Sequence, residues 1–335
     1  MNKTISTPLM LKVAAPWSIL LDTSSYFHPR VTFYQMSADT NMWIYIRALG
    51  WLTLALLFWI ANVVLHLDFS NWLTVQYQTS SGVVTPLNFK TEATISTLIV
   101  IVTILCWQGY KGTNHKLTLI YWSIWLIISY LIVNFLITTN VELIHFLQYG
   151  ALFYLLAKAI DNDHAAWPLI TLMLITLALG IIDELNQYFF LTPSNSIHMD
   201  FNDFMLNLQG AAGGLLFYYG FRFPDLRYES RAGWPLISVI CFYAMCAIAT
   251  MTFIWNGTLL YMPDHSVPPG GIEYAGDSIR VYLQREPDLL GNWNTSFSGG
   301  QYYIMSAAEG VSLLILMTCL YGSYAFLSKI FKPTS

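Results

Sequence analysis

Eight stretches of mostly apolar residues, each near the length that crosses a bilayer, leave this chain few folds to choose from. They run over 43–66, 94–110, 117–138, 142–160, 167–190, 204–221, 234–255 and 302–327. A crossing helix needs roughly 20 such residues, and away from water only a helix or a closed barrel satisfies its own backbone hydrogen bonds. The sequence therefore predicts an all-α, polytopic transmembrane helix bundle of about eight spans. Of 335 residues, 56% are hydrophobic and 10% are charged, against roughly 25% charged in a soluble domain. Twelve Trp and 21 Tyr suit a chain with many interfacial helix ends. The net charge of −4 comes with no basic run, so nucleic acid is not an expected partner.

Lys and Arg in the loops set the orientation. With the N-terminus inside, the inner side holds Lys3, Lys12, Arg30, Lys111, Lys116, Lys158, Arg222, Arg227, Arg231, Lys329 and Lys332. The outer side holds Lys90, Arg280 and Arg285. The bias makes both termini cytoplasmic. Four regions follow: an N-terminal arm (1–42), three transmembrane helices (43–138), a helical core (139–222), and two further helices (223–335) enclosing a long outer loop at 256–301. The arm lacks a convincing signal-peptide cleavage site. It reads equally as an amphipathic segment on the membrane surface or as an ordered cytoplasmic arm.

The outer side carries loops 67–92 and 256–301. The second is rich in turn residues, including Pro268-Pro269-Gly270-Gly271 and Ser298-Gly299-Gly300. Ser278–Leu283 fits a short strand or a helical turn. A loop of this length is usually a lid, a partner surface or a small subdomain. Asn256-Gly257-Thr258 and Asn294-Thr295-Ser296 are glycosylation sequons, which matter only in a secretory host. Cys106, Cys241, Cys246 and Cys319 lie in apolar runs without metal-site spacing and read as free, structural residues. No cofactor is evident.

Three polar clusters break the apolar pattern, and the topology puts all three at the outer face. They are Glu142 with His145; Asp183-Glu184-Leu185-Asn186-Gln187; and Asp200, Asn202, Asp203 and Asn207. Ionisable residues near the apolar layer are costly and mark function more often than chance. Glu142, His145 and Tyr149 fall three or four apart and share a helix face, as do Glu184 with Gln187, Asp183 with Gln187, and Asp203 with Asn207. Gly210 and Gly214 let a neighbouring helix come close. His198 lies in the connecting loop, and Glu309 sits seven residues beyond Tyr302 in the last span. The candidate ligand-binding residues are His145, Tyr149, Glu184, Gln187, Asp203 and Asn207, with Glu142, Asp183, His198, Asp200 and Glu309 as further members.

Each residue also has a plainer role. Asp203 or Asn202 would cap the sixth span. Glu142 and Asp183 would be solvated at helix ends, and His145 would fasten helices by a hydrogen bond.

The order His145-Phe146…Tyr149, then Asp183-Glu184-Leu185-Asn186-Gln187, then Asp203-Phe204-Met205-Leu206-Asn207…Gly210…Gly214 resembles the VanZ-like family of bacterial membrane proteins. The likeness covers about 140–220. That family usually has an Arg about six residues before the Asp of its third motif; here Ile197 stands there. The family takes its name from resistance to the glycopeptide teicoplanin. The resemblance thus implies residence in the bacterial inner membrane and action at its outer face, near lipid-linked envelope material.

Three functions follow as expectations. In the first, the polar site binds a lipid head group or modulates access to envelope precursors, a glycopeptide-resistance-like role. In the second, the protein is an intramembrane enzyme acting on a lipid-linked substrate, with His145, Glu184 and Asp203 as acid–base groups or ligands of a divalent metal. In the third, it is an accessory subunit whose outer loop meets partner membrane subunits. Transport is a weaker fourth: polar residues on one side outline no path across the layer.

Overall fold

The computed structural model describes residues 38–74, 77–79, 82–84, 103, 116–137, 140–161, 169–187, 200–220, 234–260, 273–275, 278–282, 292–295 and 301–330. The chain divides into two compact units, Met1–Ile44 and Tyr45–Ser335. Of the first, only the opening turns of a helix are described. The expected span at 94–110 falls outside the described residues apart from Thr103.

Seven helices are described: α1 (Ala38–Thr74), α2 (Lys116–Phe135), α3 (Ile144–Ile160), α4 (Leu169–Asn186), α5 (Phe201–Gly220), α6 (Trp234–Trp255) and α7 (Ala307–Ile330). A 3-10 turn, Asn140–Leu143, leads into α3. The described residues are therefore mostly helical. Four stretches, Tyr45–Leu65, Lys116–Phe135, Leu169–Asn186 and Ala307–Ser328, are long and apolar enough to cross a membrane. Helix α1 runs on to Thr74, so part of the segment expected as loop 67–92 is helical.

The connecting segments are not wholly irregular. Strands β1 (Tyr77–Thr79) and β2 (Gly82–Val84) form an antiparallel hairpin. Within the outer loop, β3 (Leu259–Leu260), β5 (Ser278–Tyr282) and β4 (Glu273–Ala275) make a three-stranded sheet in that order, so Ser278 begins a strand rather than a helical turn. Strands β6 (Trp293–Thr295) and β7 (Gln301–Tyr303) pair antiparallel just before α7. The turn residues that break helical periodicity here allow these short pairings.

Helix α5 is the axis of the core. Its Phe201–Gly220 sequence buries residues on nearly every side, because small residues let neighbours come close where lipid offers no hydrophobic drive between helices. Three register points make α3 its parallel neighbour: His145 meets Asn207, Gly150 meets Gly210 and Gly214, and Asp161 meets Tyr218 and Tyr219. A Cβ on Gly214 would run into the Gly150 carbonyl, and one on Gly210 would sit 2.8 Å from the His145 carbonyl oxygen. Only glycine fits at both.

Helix α2 runs the opposite way, with Leu136 beside Asn202 and Trp125 beside Gln209. Helix α7 runs parallel to α5: Met305, just before it, meets Asn202, and Tyr321 meets Gln209. Gly322 of α7 packs on Ile170 near the start of α4. So α4 also runs opposite to α5, and the end of α4 comes to the end of the bundle where α5 begins.

A buried amide holds the middle of this core. The Gln209 side chain donates to the Trp125 carbonyl and the Ser129 hydroxyl, both at 2.8 Å, and accepts from the Tyr321 hydroxyl at 3.1 Å. Trp125 returns a bond to the Gln209 carbonyl at 2.9 Å. Two further bonds tie outer helices to α4: Trp59 Nε1 donates to the Leu179 carbonyl at 3.1 Å, and the Tyr243 hydroxyl to the Leu174 carbonyl at 2.7 Å. Elsewhere these outer helices present apolar side chains outward, such as Leu57 and Val64 of α1 and Ile248 and Met251 of α6.

Candidate functional site

The start of α3, the end of α4 and the start of α5 meet, and they bring two of the three sequence clusters and most of the third to one place. His145, Asp183, Glu184 and Asn207 are all buried, at 3%, 1%, 8% and 1% exposure. Burial of that many polar groups is tolerable only when they satisfy one another.

Two chains of hydrogen bonds do so. His145 Nδ1 lies 2.7 Å from Asn207 Oδ1, and Asn207 Nδ2 donates to Glu184 Oε1 at 3.2 Å. With the amide nitrogen turned to Glu184, its oxygen faces His145 and accepts from an Nδ1–H. Direct approach of the imidazole to Glu184 is longer, 3.8 Å. Asn207 is thus the bridge between α3 and α4. In the second chain, the Tyr149 hydroxyl donates to Asp183 Oδ2 at 2.8 Å. The His145 and Tyr149 rings lie parallel, 5° apart with centroids 6.0 Å apart, one turn along the same face of α3. Gly180 makes room for both chains: a Cβ there would stand 3.0 Å from Asn207 Nδ2 and 3.2 Å from the Tyr149 ring.

The remaining carboxylates gather round this centre. The carboxyls of Glu184, Asp200, Glu142 and Asp183 act electrostatically on Asp203, and those of Asp183, Asp200 and Glu142 on Glu184. Five carboxylates and one imidazole therefore act on one another at this end of the bundle. Gln187 follows directly on α4, one turn beyond Asp183, and is half-buried. His198 falls outside the described residues, as does Ile197.

Two assignments change. The residue that caps α5 is Asp200, not Asp203 or Asn202. Its Oδ1 accepts from the Asn202 backbone N–H at 2.8 Å, as an N-cap side chain does for the second helical residue. The helix starts at Phe201 rather than 204, which moves the cap upstream. Glu309 does not join the cluster. Residues 301–303 are strand and α7 begins only at Ala307, so Glu309 stands in the first turn, exposed. Its Oε2 accepts from the Ser306 N–H and hydroxyl at 2.9 and 2.8 Å, and its Oε1 from the Tyr303 hydroxyl at 2.8 Å. The Glu309 N–H points back to Ser306 Oγ at 3.3 Å. This is the reciprocal capping arrangement that Ser-x-x-Glu favours.

Sequence reasoning treated Asn202 only as a helix cap. Its side-chain amide donates to the Leu136 carbonyl at 3.0 Å and the Tyr303 carbonyl at 2.7 Å, and accepts from the Met305 N–H at 3.1 Å. The signal was available only as an Asn between two Asp residues. Asp161, at the far end of α3, was missed too: buried, it accepts from the Tyr219 hydroxyl at 2.6 Å while its carbonyl accepts from Tyr218 at 2.6 Å.

Among the described residues, no group of three or more His, Cys, Asp or Glu side chains is arranged to hold a metal ion. His145 and Glu184 address each other through an amide rather than converging on a common point. Chemically, the cluster supplies hydrogen-bonding groups, several carboxyls close together and an imidazole. No family model, curated protein or solved structure matches this chain.

Proposed function

We propose that this is an integral protein of the bacterial inner membrane, with a VanZ-like helical core, whose polar cluster lies at the outer face and binds the head group of a lipid or lipid-linked envelope precursor. Four helices of crossing length and the outward-facing apolar side chains support the membrane setting. On this reading the span at 94–110 and the helices α3, α5 and α6 complete eight spans, both termini are cytoplasmic, and loop 256–301 is outside.

The observation that carries the site is the pair of interlocked chains, His145–Asn207–Glu184 and Tyr149–Asp183, with the other carboxylates around them. A site whose ionisable groups are carboxylates and one imidazole suits a head group with an ammonium, since a carboxylate–ammonium contact out of water is among the stronger hydrogen bonds.

Native mass spectrometry of protein taken gently from its own membrane tests the proposal. Wild type retains an amine-bearing lipid, and Glu184→Gln/Asp203→Asn loses it. Equal lipid retention by the two proteins sinks the reading.

A further inference from the structure

We infer that Asn202 is a positioning residue: it locks the first turn of α5 to the corner between β7 and α7, and so holds the Asn207 bridge on His145 and Glu184. The role of the cluster as a binding site rests on the head-group reading; the mechanical link does not.

The side chain of Asn202 makes three hydrogen bonds, all to backbone. Both amide hydrogens go to carbonyls, Leu136 at the end of α2 and Tyr303 in β7, and the oxygen takes the Met305 N–H ahead of α7. Its own N–H is held by the Asp200 cap. One buried residue thus ties four segments. It is followed at once by Asp203 and five residues later by Asn207.

The first turn of a helix is where fraying begins, because its amides lack partners within the helix. Fraying here would carry Asp203 away from Glu184 and loosen the turn on which Asn207 is built. The other side of the clamp is itself braced. Ser306 and Glu309 close the start of α7, and the Tyr303 hydroxyl joins them. Asn292 and Asn294 of the β6 segment donate to the Tyr303 and Tyr302 hydroxyls, each at 3.0 Å. Phe201 lies against Gly310, where no Cβ would fit. The last part of the outer loop is therefore geared to the start of α5 through the Asn202 amide, with Phe201 packed on Gly310 beside it.

The readout is the rate at which diethyl pyrocarbonate modifies His145, followed by peptide mass spectrometry in the full-length protein in detergent. At 3% exposure, His145 is shielded in the wild type. Two variants remove the clamp differently. Asn202→Ala deletes it; Asn202→Asp keeps an acceptor for Met305 but turns an acceptor toward the Leu136 and Tyr303 carbonyls. The control, Tyr243→Phe, breaks the bond from α6 to α4 without touching the clamp.

Both Asn202 variants should label His145 about tenfold faster than wild type, since losing a buried hydrogen-bond group makes local opening easier. Tyr243→Phe should lower thermal stability and leave the rate unchanged. The inference is overturned if both Asn202 variants label at the wild-type rate, or no faster than Tyr243→Phe. It is equally overturned if neither folds while Tyr243→Phe does, for Asn202 is then a requirement for folding and nothing more local. Labelling needs no lipid, so a wild type that retains none would defeat the head-group reading and leave this result standing.

Discussion

Gly210→Ala is the sharpest small perturbation the structure offers. The added Cβ would lie 2.8 Å from the His145 carbonyl oxygen, 2.9 Å from that of Phe146 and 3.0 Å from Phe146 Cα. All three are backbone atoms, so no side chain can swing aside. Ordinary contact begins at 3.4 Å, so the first turn of α3 must retreat from α5 by about 0.6 Å. Passed on in full, that stretches His145 Nδ1 to Asn207 Oδ1 from 2.7 Å to about 3.3 Å, past the upper range of about 3.2 Å for such a bond. Overpacking of this kind costs about 1–3 kcal/mol, and a weakened buried hydrogen bond adds about 1 kcal/mol. Alanine also gains about 1 kcal/mol of helix propensity. Gly50→Ala removes that ambiguity: on α1 a Cβ at Gly50 meets nothing within 4 Å. In equilibrium unfolding in mixed detergent, G210A should be about 2–4 kcal/mol less stable than G50A, with His145 modified faster by diethyl pyrocarbonate. Equal stability of the two variants would refute the close α3–α5 crossing and the packing argument built on it.

Other perturbations separate the site from its scaffold. Tyr149→Phe removes the donor to buried Asp183 and should cost about 1–3 kcal/mol in the same unfolding assay, whereas Tyr149→Phe/Asp183→Asn should recover part of that loss. Gln209→Leu leaves the Trp125 carbonyl and the Tyr321 hydroxyl without this partner, and should destabilise by about 2 kcal/mol without altering lipid retention. Glu309→Ala loses the cap of α7 at a cost of about 1 kcal/mol, again with lipid retention intact; lost retention would return Glu309 to the site.

The sequence carried the helices because apolar runs of crossing length permit little else, and the Gly210 and Gly214 spacing announced a close neighbour. It carried the grouping of His145, Glu184, Asp203 and Asn207 because successive antiparallel helices bring three separated clusters to one end. It did not carry the wiring. That Asn207 stands between His145 and Glu184, and that Tyr149 serves Asp183, depends on rotations of α3 and α4 about α5 that periodicity leaves open. Glu309 was misplaced because the apolar Tyr302-Tyr303-Ile304 looks like helix, while Gln301–Tyr303 pairs with Trp293–Thr295 as strand. Asp200 was passed over as the cap because the start of α5 was set three residues late. Asn202 and Gln209 reach carbonyls on helices distant in sequence, and nothing local records such partners.

Binding of short-chain phosphatidylethanolamine and phosphatidylglycerol to purified protein, wild type against Glu184→Gln, tests the central claim most directly. The account predicts that wild type prefers the ethanolamine lipid and that Glu184→Gln weakens its binding about tenfold, the scale of one hydrogen bond to a charged group. Phosphatidylglycerol should bind both proteins alike. Equal affinity of wild type for the two lipids, or ethanolamine binding untouched by Glu184→Gln, would contradict a head-group site built on this carboxylate cluster.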